Sequence, residues 1–129
     1  MVHAGYKSID SLRIEKGYKM WGHDITPDYN PYEAGLGFTV KLKKKDFIGK
    51  EALKKIKKEG VKYKLKYFTL EEDIQVYGGE AVYLNNKPIG QATSATYGYS
   101  LGKYIVYVYV LINKSLSTVS GSKPLYTAF

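Results

Sequence analysis

The sequence predicts an α+β chain: a helix-bearing N-terminal part followed by a small antiparallel β-barrel or sandwich. Three observations predict it. Residues 4–16 and 50–59 carry helical spacing, and each run is followed by a glycine, Gly17 and Gly60, the favoured residue just past a helix end. From Val61 onward the pattern changes to short alternating segments separated by turn residues, as antiparallel strands require. Finally, Tyr104–Ile112 is apolar at successive positions, which places it at the centre of a sheet with both faces covered. A boundary is expected near Gly60, dividing residues 1–60 from 61–129, and a chain of 129 residues suits one domain or two small subdomains.

In the first helix Tyr6, Ile9 and Leu12 mark one face, although Leu12 and Ile14 also alternate as a strand would. Tyr18–Trp21 reads as an extended edge leading into a turn at His23–Pro27, and Asp28–Glu33, with Asn30 before Pro31, reads as loop. Gly35-Leu36-Gly37 is not a dinucleotide fingerprint, because Val40 stands where a third glycine belongs and no strand pattern precedes it. It reads as a bulge or a close backbone approach inside a β-segment. Phe38, Val40 and Leu42 alternate with Thr39, Lys41 and Lys43, which predicts a strand with one buried face. The second helix, Lys50–Glu59, should turn Leu53 and Ile56 inward. Strands follow through Tyr63–Thr69, about Ala81–Leu84 and Pro88 to about Ala95. Glu71–Asp73 forms an acidic turn, Asn85-Asn86 a tight hairpin, and Tyr97–Gly102 a turn rich in tyrosine and glycine.

Composition excludes several classes of chemistry. There is no cysteine, so disulfides, thiolate zinc sites and cysteine nucleophiles are absent, and two histidines do not make a polyhistidine metal site. The longest apolar run is about half of the ~20 residues a membrane-spanning helix needs. The first residues lack both the apolar core of a secretory signal and the arginine-rich character of a mitochondrial presequence. The net charge of +8 is unevenly spread: 12 of 20 basic residues lie between Lys41 and Lys66, and no acidic residue follows Glu80. Such a patch attracts anions, but 19 of the 20 are lysine and Arg13 alone is arginine, a poor set for bidentate reading of bases. A solvated lysine face is the plainer account. A basic nucleic-acid-binding domain with tyrosines as stacking platforms is the disfavoured alternative.

Four stretches carry a resemblance: SLRIEKGYKMWG at 11–22, TPDYNPYEAGLGF at 26–38, KKKDFIGKEAL at 43–53 and TSATYGYSLGK at 93–103. In this order and spacing they resemble the glycine cleavage T protein (aminomethyltransferase) family, in particular its mitochondrial dimethylglycine dehydrogenase and sarcosine dehydrogenase branch. The resemblance implies that residues 1–60 end a folate-binding α+β region and that 61–129 form a C-terminal β-barrel domain, with the likeness fading after Val110 as it would in an incomplete barrel. It implies tetrahydrofolate as cofactor, with FAD only in an N-terminal half of the parent protein, and the rest of that polypeptide as partner. A mitochondrial matrix location is implied in the same way. In the family a glutamate in the RxE motif grips the folate ring, which carries over to Glu15. A pterin presents a ring N–H beside an exocyclic amine, and one carboxylate accepts from both. Read from the residues alone, Glu15 is more simply an exposed glutamate beside Lys16 or Lys19, and it is the motif that reverses this preference. Trp21 is a further candidate, as a stacking surface or as core. Lys44 stands near a family arginine that contacts folate; a lysine neutralises the glutamate tail but supplies no fork of donors. No catalytic residue and no metal ligand is assigned, because the family's reacting aspartate belongs to a part of the fold not represented here. The resemblance leans to the dimethylglycine branch through DFIGKEALKKIK and YGYSLGK. It also extends to the noncatalytic regulatory subunit of pyruvate dehydrogenase phosphatase.

Overall fold

A computed structural model of the chain describes residues 5–71, 74–84 and 86–112. Helix α1 (Tyr6–Glu15) and helix α2 (Lys50–Glu59) precede four strands, β1 (Tyr63–Thr69), β2 (Ala81–Leu84), β3 (Lys87–Gly98) and β4 (Lys103–Leu111). The strands form one antiparallel sheet in the order β1-β4-β3-β2. The α+β class expected from the sequence is therefore the observed one, and β4 is an interior strand. Its alternation explains why it must be. Ile105, Tyr107 and Tyr109 face one side, packed with Ile14, Ala34 and Leu65, while Val106, Val108 and Val110 face the other with Leu70, Val76, Val82 and Ala92. A strand buried on both faces needs apolar residues at every position.

The ends of α1 follow from backbone chemistry. The Gly17 amide donates to the Ile14 carbonyl (3.0 Å) and the Tyr18 amide to the Arg13 carbonyl (2.8 Å), the paired bonds of a Schellman stop, with Gly17 at φ 75. The face marked by Tyr6, Ile9 and Leu12 does not pack on the sheet: all three are exposed, and Ser11 and Ile14 point inward instead. Helix α2 has the expected bounds, but Leu53 and Ile56 are only half-buried and none of its residues is fully buried. None of the described helices is long and apolar enough to cross a membrane.

One expected strand is absent. Residues 37–39 form a single 3-10 turn, with the Thr39 amide and hydroxyl both donating to the Leu36 carbonyl (2.9 and 2.7 Å), and Phe38 is exposed. Alternation at 38–43 predicts a strand only if a neighbour supplies ladder bonds, and here the backbone turns back on itself instead. The bulge or backbone approach expected at Gly35–Gly37 within a β-segment is not found either: Gly37 lies in the turn, and what a Cβ there would meet is a side chain, Tyr32 Cδ1 at 2.9 Å. Asn86 sits at φ 60, as a tight hairpin needs, while its companion Asn85 and most of the acidic turn at 71–73 lie outside the described residues. The return strand runs on to Gly98, so the turn is confined to 99–102.

Residues 30–36 protect the outer edge of β1. Asn30 and Glu33 form a reciprocal cap: the Glu33 amide donates to Asn30 Oδ1 (3.1 Å) and the Asn30 amide to Glu33 Oε2 (3.1 Å). Glu33 Oε1 then accepts from the Tyr63 amide (3.1 Å), and the Glu33 carbonyl from the Leu65 amide (2.8 Å). Two outward donors of this edge strand, the Tyr63 and Leu65 amides, are thereby used, which blunts that part of the edge against unwanted pairing.

Candidate functional site

Glu15 ends α1 and reaches across to the β3–β4 hairpin. The Ser100 amide donates to Oε1 and the Ser100 hydroxyl to Oε2, both at 2.8 Å. These two bonds, backbone first, hold the Glu15 pKa below the ordinary carboxylate range; slight desolvation opposes them and Lys16 adds to them. The carboxylate is neither free in solvent nor paired with Lys16 or Lys19 by a direct ion pair. Each oxygen takes one donor, and an ionised carboxylate offers about four acceptor positions, so acceptor capacity remains on both. That suits a group presenting two adjacent N–H donors.

The hairpin can come this close because position 98 is glycine. A Cβ on Gly98 would stand 3.2 Å from Glu15 Oε1 and 2.7 Å from Ile105 Cδ1. One helical turn before Glu15, the Ser11 hydroxyl donates to the Tyr97 carbonyl (2.9 Å), so the same face of α1 holds the hairpin twice. Beside it a cleft of about 390 Å³ runs between α1 and β3, lined by Ser8, Ser11, Tyr77, Tyr97, Tyr99 and Tyr104 among others. Glu15 lies just past its Ser11 end and is not itself a lining residue.

The other two sequence candidates are not brought to Glu15. Trp21 is 71% exposed, neither core nor stacked, and its backbone forms an isolated bridge with Ile25. Lys44 is exposed, and its carbonyl accepts from Lys50 Nζ (2.5 Å). Among the described residues no hydrogen bond, ion pair or ring contact joins Glu15, Trp21 and Lys44.

Sequence reasoning missed Asp24, which it placed in an ordinary turn. Asp24 is fully buried and is the hub of the polar interior. Its Oδ2 accepts from Arg13 Nη1 (2.7 Å) and the Met20 amide (2.9 Å), its Oδ1 from Thr93 Oγ1 (2.7 Å), and its carbonyl from Tyr109 Oη (2.8 Å). Arg13 also donates to Asp10 Oδ1 (2.8 Å) and Ser94 Oγ (3.0 Å). Thr93 and Ser94 are consecutive, yet both reach this network. They can because the β3–β4 register slips there, Ala92 pairing with Val108 and Ser94 with Tyr107, so that Thr93 is the extra residue of a bulge. A smaller cleft of about 240 Å³ lies over these groups, between Arg13, Met20, His23, Thr93 and Ser94. The usable signal was the solitary arginine of a lysine-rich chain, since a planar fork of donors is what a buried carboxylate demands.

Four tyrosines bind the loop segments to the sheet. Tyr29 stacks on Tyr109, with centroids 3.5 Å apart and planes within 3°, and meets Tyr63 edge-on. Tyr107 Oη donates to the Ile14 carbonyl (2.8 Å), just before Glu15. Tyr107 and Tyr109 are buried, and one face of Tyr29 is covered by Tyr109.

Residues 1–44 match the family model described as "GCVT N-terminal domain", and residues 64–121 match "Glycine cleavage T-protein C-terminal barrel domain". Over 111 residues the chain is 44% identical to mitochondrial sarcosine dehydrogenase of Mus musculus, covering 85% of this chain and 12% of that protein. Mitochondrial dimethylglycine dehydrogenase of Homo sapiens is 42% identical over 113 residues, 86% of this chain and 13% of the relative, so the two branches are not separated. The mitochondrial pyruvate dehydrogenase phosphatase regulatory subunit of Mus musculus is 37% identical over 131 residues, covering 97% and 15%. The chain thus spans about an eighth of the length of the two dehydrogenases. Among solved structures, aminomethyltransferase T of the glycine cleavage system from Bartonella henselae superposes with a TM-score of 0.75 at 29% identity, over 79% of this chain and 29% of that one.

Proposed function

The chain belongs to the glycine cleavage T-protein (aminomethyltransferase) family, and from that premise we propose that it forms part of a tetrahydrofolate site in a sarcosine or dimethylglycine dehydrogenase-like protein. In this reading the site accepts the one-carbon unit released by oxidative N-demethylation, in the mitochondrial matrix. The observation that carries it is Glu15, an ionised carboxylate held at two points with acceptor capacity left over. Glu15 binds the paired N–H edge of the pterin; bound tetrahydrofolate would supply the ring nitrogen that takes the carbon. This chain contributes binding and orientation, while FAD and proton transfer belong to the rest of the parent polypeptide. The division near Gly60 fits this role, with the folate residue before it and the barrel after it.

The surface around α1 supports a larger parent. Tyr6, Ile9, Leu12, Tyr18, Trp21 and Phe38 are all more than half exposed, and all lie within the segment matched to the N-terminal domain. Tyr6, Ile9 and Leu12, three residues apart along α1, form one exposed apolar face, which marks a surface meant to be covered, and the preceding part of that domain is the partner it fits. Lys44 and Trp21 then serve as outer contacts to folate, with Lys44 facing the glutamate tail.

The test is NMR titration of the chain with tetrahydrofolate, a method suited to a Kd on the order of 1 mM from a partial pocket. Shifts should concentrate at Ser100 and the end of α1 and should vanish in Glu15→Gln. No shift there in the wild type, or equal binding by the variant, overturns the reading. The second reading, a noncatalytic regulatory module, draws on the pyruvate dehydrogenase phosphatase subunit match over nearly the whole chain. It predicts no response to folate.

A further inference from the structure

We propose that Ser100 is the positioning residue for Glu15: the β3–β4 hairpin fixes the plane and the open acceptor edge of that carboxylate, so the strand half of the chain sets the geometry of a ligand-binding group carried by the helix half. This rests on the folate reading and adds to it a residue 85 positions away in sequence.

The geometry is specific. One residue supplies both donors, amide to Oε1 and hydroxyl to Oε2, each at 2.8 Å, so the two bonds together leave the carboxylate little freedom to rotate. The donor residue is itself fixed. The Gly102 and Leu101 amides donate to the Gly98 carbonyl (2.8 and 3.1 Å), closing the turn that presents Ser100. Ser11 anchors the strand before it through the Tyr97 carbonyl (2.9 Å). At the pair that closes the hairpin turn, Lys103 opposite Gly98, the lysine is bonded to Glu71 (2.6 Å), which leaves Lys16, on the helix end, as the charged neighbour acting on Glu15. Orientation of this carboxylate is therefore carried by Ser100 dipoles, and a glutamate at a helix end without them would sample several rotamers.

A purely structural tether between helix and hairpin would show the same bonds, so the test separates the two. Wild-type, Ser100→Ala, Ser100→Thr and Glu15→Gln chains are compared by tetrahydrofolate titration, by carboxylate-detected NMR of Glu15 against pH, and by thermal melting. Ser100→Ala should weaken folate binding about tenfold, the effect of losing one hydrogen bond to a charged group. It should also raise the pH at which Glu15 titrates, with the melting temperature little changed. Ser100→Thr should restore both. If Ser100→Ala binds as the wild type does while Glu15→Gln does not, Ser100 has no positioning role and the folate reading stands. If Glu15→Gln binds normally, the folate reading itself is wrong. Affinity that falls only in step with melting temperature, or is not restored by threonine, reduces the contact to a tether and overturns the proposal.

Discussion

Asp24→Asn is the sharpest test of what holds the two halves of the chain together. The substitution keeps the shape of a fully buried side chain but replaces a charged acceptor with an amide. Both oxygens of Asp24 face donors: Thr93 Oγ1 on one side, Arg13 Nη1 and the Met20 amide on the other. Turned toward Arg13 and the Met20 amide, the new NH₂ would meet two donors; turned toward Thr93 it donates to the hydroxyl, which rotates to accept, and the cost is then the lost negative charge beside Arg13. Arg13, whose side chain is 12% exposed, keeps Asp10 but loses its buried counter-charge. Breaking a buried ion pair by removing one partner costs about 3–5 kcal/mol, and the surviving Asp10 contact points to the lower end, about 3 kcal/mol. Against a whole-domain stability of roughly 5–15 kcal/mol this is a large share.

Urea unfolding followed by tyrosine fluorescence and circular dichroism measures it. With a slope of about 1–3 kcal/mol per molar urea, the midpoint should fall by about 1–3 M. Arg13→Gln should cost a similar amount, and the double variant should fall short of the sum by at least about 1 kcal/mol, since the two share one interaction. A midpoint for Asp24→Asn within about 0.3 M of the wild type would refute the reasoning, because a carboxylate so easily replaced is not the hub of the interior.

Four further outcomes follow from particular contacts. Gly90→Ala should destabilise by at least about 2 kcal/mol, or prevent folding, because its Cβ would fall 2.1 Å from the Tyr109 carbonyl oxygen across the sheet; urea unfolding reads it. Burial, with Tyr67 and Asp24 nearby, raises the Tyr107 pKa, and burial with Tyr29 and Asp24 does the same for Tyr109. A phenol held protonated by folding contributes stability that is intact below its ordinary value of 10 and lost as pH rises beyond it, so alkaline unfolding should begin there, and Tyr107→Phe should flatten the decline. Glu15 has the opposite sign: its folded value is depressed, so its contribution is present above pH 4.5 and disappears as pH falls from there through the folded value, a limb that Glu15→Gln should remove from an acid-unfolding curve. Leu12→Ala should change the stability of the isolated chain by no more than about 0.5 kcal/mol, since Leu12 is 64% exposed, yet on the proposed reading it should weaken association with an added N-terminal aminomethyltransferase segment measured by calorimetry.

The elements most readable in the sequence are those whose causes are local. The bounds of α2 follow from its spacing and Gly60, and the stop of α1 at Gly17 is a backbone motif completed within five residues. Strand β4 was legible because burial on both faces leaves an unbroken apolar run. The strand expected at 38–43 fails for the complementary reason: alternation says which face would be buried, while a ladder partner has to come from elsewhere. The Asn30–Glu33 cap had a local signature too, an N-cap residue followed three positions later by glutamate with proline between. It was hidden because so short a turn resembles loop.

The candidate site divides along the same line. Glu15 was legible only through its motif, since a glutamate between a helix end and two lysines is on residue chemistry alone an ordinary surface charge. What distinguishes it is Ser100, and nothing near position 15 announces a partner 85 residues on. Asp24 and Thr93 meet across 69 residues, and only because a bulge sends Thr93 and Ser94 to one network, where strand periodicity would have sent them to opposite faces. The polar bonds that join the N-terminal segment to the sheet are therefore products of register. A one-residue slip in the β3–β4 pairing would displace Ser100 from Glu15 and Thr93 from Asp24 together, so the folding of the strands and the geometry of the proposed folate residue are a single cooperative event.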